Sequence, residues 1–278
     1  MRESCLHLPK NKPGVIDLDS QGHSASQPKN LALDVENLRV NLGPKKVRLI
    51  DRWIREVNGP LNSLIQKHMP GNAVVLDLGC SRGDPDIPAL QMATLFVGCD
   101  VDLSGLMGNN QTTNLVMAPM EQLPFYNESI DLLVSKWVFE HIQAPEAVFN
   151  ECFRVLKPGG KMIILTPNSH SFFVLCSRAI PFKFKSKIKK LIFRIHDEDT
   201  FKTWYLANSK KRLYCLSRQG GLQNLEWVLL PGMWTFFIFS TPLSLVLRKL
   251  EHLICHLPIL RNMTAYILAA WEKPSVQS

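Results

Sequence analysis

The chain of 278 residues has no CxxC pair, no metal-type cluster of Cys and His, and no G-x-x-x-x-G-K-[ST] phosphate loop. Its seven cysteines are dispersed and odd in number, which argues against a disulfide framework and for a reducing compartment. No metal is expected. The opening residues, MRESCLHLPKNKPG, lack an apolar core, so a secretory signal is not expected and a cytoplasmic protein is. Acid is in short supply, with 24 Asp and Glu against 32 Lys and Arg and a formal net charge of +8. Stacking aromatics in a recognised module are missing, so nucleic acid is not an expected partner.

What is present begins with 74–83, VVLDLGCSRG. An apolar run carries one acid, Asp77, then turns at Gly79 and again at Gly83. This reads as a buried parallel strand entering a glycine loop, with a helix expected to start at Asp84-Pro85. Further apolar runs follow at 94–99, 114–118, 129–135 and 161–165, with a helical pattern over 145–156 closed by Lys157-Pro158-Gly159-Gly160. Strands this apolar, separated by helices, predict a mostly parallel sheet covered on both faces, the doubly wound α/β pattern. Ligands in such sheets bind at the carboxyl ends of the strands.

Asp100 closes the second run 21 positions after Gly79, near the offset at which an acid accepts hydrogen bonds from ribose hydroxyls. The bland alternative makes the glycines turn geometry and Asp100 a helix cap. A dinucleotide fingerprint needs G-x-G-x-x-G, and here Ser81 occupies the middle glycine position. Asp77 would repel pyrophosphate but suits a cationic amino group. A nucleoside-like ligand without phosphates therefore fits best.

VVLDLGCSRG, FVGCD, MEQLPFYNESIDLLVSKWVFEHI and ECFRVLKPGGKMIILTPN together resemble the successive motifs of class I S-adenosylmethionine-dependent methyltransferases. The nearest branch holds quinone-biosynthesis and small-molecule enzymes. The likeness is strong over 74–168 and weaker over 197–213, DEDTFKTWYLANSKKRL. It implies a Rossmann-like, seven-stranded sheet and S-adenosylmethionine as cofactor. It also implies that Asp77, Gly79, Cys80 and Gly83 hold the methionine part and that Asp100, with Val101, holds the ribose. Met120 and Glu121 would flank the adenine, and Ser135, Lys136 and Trp137 would line the pocket. Two positions depart from the family: Ser81, whose side chain must point away from the cofactor, and Pro119, where an aspartate commonly meets the adenine amino group. His141 matches a histidine that faces the acceptor and is the candidate general base, with a packing or capping histidine as the alternative. Asn168 and His170 follow the fifth strand and are candidates to orient the acceptor.

The domain reading is a flexible segment over 1–30, a helical cap over 31–70 and a methyltransferase domain over 71–278. Its cofactor half is 71–168 and its acceptor half 169–278. The cap reads as two helices, because Asn58-Gly59-Pro60 breaks the pattern. In the acceptor half, 178–194 carries seven basic residues and no acid, with Phe184, Ile188, Leu191, Ile192 and, just beyond, Ile195 at helical spacing, which suggests an anionic membrane surface or an acidic partner, with a solvated helix face as the alternative. Residues 227–247 carry no charge for 21 positions, but Pro231, Gly232 and Pro242 interrupt them. A strand over 225–230, an apolar helical insertion over 233–258 and a strand over 265–271 are expected rather than a spanning helix. The insertion could be core, a tunnel for a long apolar substrate, or a surface dipping into lipid. The functional reading is methyl transfer to oxygen or carbon of a small-molecule or lipid-linked acceptor, peripheral at the membrane if lipid is met. The alternatives are a catalytically silent cofactor-binding scaffold and a nicotinamide-dependent oxidoreductase.

Overall fold

The computed structural model describes residues 16–17, 43–172, 174–175, 202–237, 240–257 and 260–275. One mixed sheet runs through it. Its strands are β1 (Ile16–Asp17), β2 (Val74–Leu78), β3 (Leu95–Asp100), β4 (Leu115–Met117), β5 (Ile130–Lys136), β6 (Leu156–Pro167), β7 (Gln223–Leu230) and β8 (Tyr266–Glu272). They lie in the order β1-β4-β3-β2-β5-β6-β8-β7, parallel except for β8, which runs against both neighbours. The seven expected strands are all there. The doubly wound order reverses between β2 and β5, and that switch point opens the crevice in which such sheets bind ligands.

The helices cover both faces. On one face α1 (Pro44–His68) packs Leu49, Trp53, Val57, Leu61 and Ile65 against Val75, Leu132, Ile163 and Leu268 of the sheet. On the other, α3 (Pro145–Val155) and α4 (Lys210–Gln219) pack Val148, Phe149, Cys152, Leu213 and Leu216 against Leu76, Leu133, Ile164 and Trp271. Two more helices among the described residues are the short α2 (Leu103–Met107) and α5 (Thr241–His256). Each fully buried aliphatic chain contributes about 1.5–3 kcal/mol relative to exposure, so these two layers are the main favourable term.

Four local expectations are corrected. The cap is one continuous helix lying on the sheet, with Pro60 inside it. Its apolar stripe runs unbroken through the proline, from Val57 to Leu61, Leu64 and Ile65, and burial on that stripe outweighs the roughly 3 kcal/mol a helical proline costs. Ser63 Oγ donates to Gly59 O and Asn62 Nδ2 to Asn58 O, so side chains reinforce the disturbed turn. Pro60→Ala restores the missing N–H and is expected to stabilise the protein by ~1–3 kcal/mol. A thermal melt, rising by several degrees, checks this.

No helix starts at Asp84-Pro85, because Asp84 and Ile87 each precede a proline, which disfavours helical backbone there. A short 3-10 turn, Pro88–Met92, follows instead. The fifth expected strand, 161–165, is the end of a longer β6, which begins as soon as α3 stops. Finally, Ile16–Asp17, inside the segment read as a flexible lead-in, adds a parallel edge to β4. The basic stretch 178–194 lies outside the described residues. The apolar insertion does form, as a 3-10 turn Met233–Phe237 and α5. Among the described residues no helix is long and apolar enough to cross a membrane.

Candidate active site

The crevice is built on the loop after β2. Gly79 N–H and Cys80 N–H both donate to Cys99 O at the end of β3, at 2.7 and 3.2 Å, which straps the loop to the neighbouring strand. Gly79 has φ +83°, and a Cβ there would overlap the Val138 side chain, so the position requires glycine. Ser81 has φ 42° and donates its N–H to Asp100 Oδ2 at 2.8 Å. Its Oγ is directed at Gly105 of α2, so close that a Cβ at Gly105 would lie 2.7 Å from it. A side chain at the middle glycine position is therefore accommodated on the α2 side of the loop. Cys80 points at Gly98 and is buried, which pushes its thiol far above the usual range and makes it inert.

Asp100 is 7% exposed, and Asp102 N–H donates to its other oxygen, Oδ1, at 2.9 Å. Val101 N–H also faces this carboxylate, which still leaves acceptor capacity for a ribose hydroxyl. Val101, next in the chain, is 43% exposed at the strand end, an apolar surface beside that acid. Asp77 is 6% exposed, and its carboxyl is pushed up to about 7, first by burial and then by the charges of Asp84 and Asp100, with Lys136 opposing. Three carboxylates thus converge on one loop, balanced by Lys136, whose ammonium pairs with Asp84. Among the described residues a 3-10 turn, Pro88–Met92, follows this loop rather than an α-helix.

The other predicted residues divide. Lys136 and Trp137 end β5 beside the loop, and Trp137, at φ 59°, stacks on Trp53 of α1 and meets Tyr266 edge-on at 4.7 Å. Ser135 is fully buried and donates to Leu78 O at 2.8 Å, joining β5 to β2. Met120 packs on the core beside the 118–122 turn, with Glu121 exposed next to it. Asn168 is 2% exposed, and its Nδ2 donates to Asn262 O and Thr264 O while its Oδ1 accepts from His170 N–H. That amide is committed to clamping the end of β6 to the approach to β8. Asn168 and His170 also line a cleft of about 410 Å³ with Lys210, Lys211, Tyr214 and Leu229.

His141 follows β5, and its Nδ1 lies 3.0 Å from Lys202 O. A carbonyl only accepts, so Nδ1 carries the hydrogen in the neutral ring and Nε2 bears the lone pair. Burial lowers the imidazole's proton affinity, which keeps the ring neutral near pH 7. Beside it Glu140 is 6% exposed, and burial pushes its carboxyl up to about 7. Its Oε2 lies 3.3 Å from Thr166 Oγ1, which in turn meets the Asn208 amide at 2.6 Å. The Glu140 carbonyl accepts Trp204 N–H at 2.7 Å and Tyr205 N–H at 3.2 Å. Residues 202–208 are therefore latched over the turn that carries His141. Glu140 was not singled out by sequence reasoning, although it is adjacent to His141. Its signal was an acid in an otherwise apolar run after a buried strand.

Residues 76–164 match the family model described as a methyltransferase domain. That stretch, from β2 to β6, is thus similar to methyltransferase domains. One relative, a probable S-adenosylmethionine-dependent methyltransferase of Mycolicibacterium smegmatis, is 30% identical over 35% of this chain and 39% of its own. A ubiquinone/menaquinone biosynthesis C-methyltransferase of Vibrio vulnificus is 27% identical over 59% of this chain and 68% of its own. The match thus spans well under half of the first relative and about two thirds of the second. Among solved structures, geranyl diphosphate C-methyltransferase of Streptomyces coelicolor, crystallised with S-adenosyl-L-homocysteine, covers 77% of this chain at a TM-score of 0.52 and 16% identity. At that identity the methyltransferase likeness is one of fold. It covers 76% of that chain.

Proposed function

We propose that the protein moves a methyl group from S-adenosylmethionine to oxygen or carbon of a small-molecule or lipid-linked acceptor. The observation that carries this is the pairing of buried Asp77 and Asp100 at adjacent strand ends, in a loop without a phosphate-binding device. The donor set fits the cofactor: Asp77 for its ammonium, Asp100 for its ribose diol, and exposed Val101 for its apolar ring surface. Bound S-adenosylmethionine supplies an electrophilic methyl on a sulfonium. The chain's own residues position, exclude water and remove a proton. Glu140 and residues 202–208 hold the His141 turn, and His141 Nε2 accepts the proton that an acceptor hydroxyl or acidic C–H gives up. The relatives that act on quinones and isoprenoid diphosphates support a small acceptor with an apolar body. The silent scaffold and the nicotinamide oxidoreductase gain no support from these matches.

Calorimetry with S-adenosylmethionine and S-adenosyl-L-homocysteine tests the reading, and no heat at millimolar ligand would sink it. A mass-spectrometric screen of quinols for products heavier by one methylene then identifies the acceptor. Once it is known, His141→Asn is expected to lower kcat by roughly 10²–10⁴-fold, the usual worth of a general base. Cofactor affinity should not change. An unaltered kcat would assign His141 to packing alone.

A further inference from the structure

Among the described residues, α5 is a long helix with an apolar outer face that is exposed. Its inner face is fully used. Ser244 is buried, Leu247 packs on the core, and Arg248 pairs with Glu56 of α1. Glu251, 2% exposed, accepts Gly232 N–H and Met233 N–H at 3.0 and 2.9 Å. The opposite face presents Leu243, Val246, Leu250, Leu253 and Leu257, alternating three and four residues apart and between 38% and 62% exposed. That spacing makes one continuous apolar stripe along the helix.

Charge selects the occupant. From Thr241 to Met263 the only acid is Glu251, which is buried and committed to backbone N–H groups. Lys249 and His256 border the stripe and Arg261 follows it, all exposed. A second copy laid on this stripe would bring like charges together, whereas an anionic surface would meet complementary ones. We infer that α5 lies in the surface of an anionic lipid bilayer, its leucine stripe among the acyl chains and Lys249 and Arg261 at the headgroups. The geometry is that of a helix in the membrane plane, not across it.

Topology gives this a further meaning. Leu230 and Tyr266 pair with each other, and Tyr266 also pairs with Pro167 at the carboxyl end of β6. The β7–β8 connection that contains α5 therefore leaves and re-enters the sheet at the crevice end. A bilayer under α5 is adjacent to the mouth of the site, the geometry an acceptor dissolved in lipid requires. The inference extends the acceptor reading above, but its readout does not depend on methyl transfer.

Flotation of the full chain with vesicles of phosphatidylcholine plus phosphatidylglycerol, against phosphatidylcholine alone, tests it. The protein should float with the anionic vesicles only. Val246→Ser/Leu250→Ser/Leu253→Ser should cut the bound fraction at least about tenfold, and Lys249→Gln/Arg261→Gln should make residual binding less dependent on anionic lipid. Cofactor calorimetry on each variant should match the wild type, since these side chains are exposed and outside the site. Failure of the wild type to float, or flotation of the serine variant at wild-type level, overturns the inference. So does a solution dimer that the serine variant dissociates, which would assign the stripe to a second copy. Loss of cofactor binding in the wild type would instead strike the proposed function and leave flotation standing.

Discussion

At about pH 8, Asp77→Asn is expected to weaken S-adenosylmethionine binding at least tenfold and yet to raise the melting temperature of the ligand-free protein. Both effects follow from one buried carboxyl whose proton affinity rises from 3.8 to about 7. In the unfolded chain it ionises near its ordinary value. Between those two values the folded state therefore holds a proton that the unfolded state has lost. Stability falls as pH rises through that window, and above it the folded protein carries a buried charge worth up to about 4 kcal/mol of destabilisation. Glu140, raised from 4.5 to about 7 by burial, works in the same direction. Asparagine keeps the shape and removes the charge, so the free protein gains stability and the cofactor's ammonium loses its partner. In the wild type, binding selects the ionised form. Affinity should therefore fall by about tenfold per unit as pH drops below 7, with a proton released on binding. Calorimetry in two buffers of different ionisation enthalpy reads that proton directly. The asparagine variant should show neither the release nor the pH dependence. A wild-type affinity flat from about pH 5.5 to 8 would show that Asp77 does not face the ligand.

The second large effect is expected at Gly79. Gly79→Ala meets two independent penalties: φ +83°, which disfavours any side chain, and overlap with Val138. Together they should cost ~2–4 kcal/mol of stability and abolish measurable cofactor binding, because the loop must shift away from Val138 at the β5 end to relieve them. Val138→Ala removes the overlapping methyl groups while leaving the backbone penalty. Combined with Gly79→Ala, it should recover part of the stability in a denaturant titration and little of the binding. Equal recovery of both would mean that sterics alone, not loop conformation, reserve this position for glycine.

Where sequence and structure agree, the residues obey a single local rule. Runs such as 74–78 and 129–135 are apolar because both faces of the sheet are covered, and a covered strand reads plainly. The paired acids Asp77 and Asp100 were legible for the opposite reason, since a carboxylate inside an apolar run is costly without a purpose. The failures are places where two rules compete. At Pro60 the break signal is real, but an apolar stripe on both sides of it outweighs the local cost. After the glycine loop a helix was expected by analogy with nucleotide folds, and two X-Pro steps forbid it. Glu140 carried the same signal and was passed over, and its role stayed hidden because its partners, Thr166 and Asn208, lie 26 and 68 positions away. Asn168 was legible as a residue at the right end of the sheet. That its amide would be consumed by Asn262 and Thr264 was not.

The missing helix after the loop has a consequence for which adenosine compounds can compete for the crevice. ATP and nicotinamide dinucleotides bring the same adenine and ribose as the methyl donor, but on a phosphate chain. With Asp77 proposed to hold the ammonium and Asp100 the ribose, a phosphate chain would meet Asp77, Asp84 and Asp100, offset by Lys136, whereas a sulfonium would be attracted. The same arrangement would favour the ligand less once the methyl has gone and the sulfur is neutral. Exclusion of phosphate-bearing adenosines and departure of the spent cofactor would then be two results of one acidic loop.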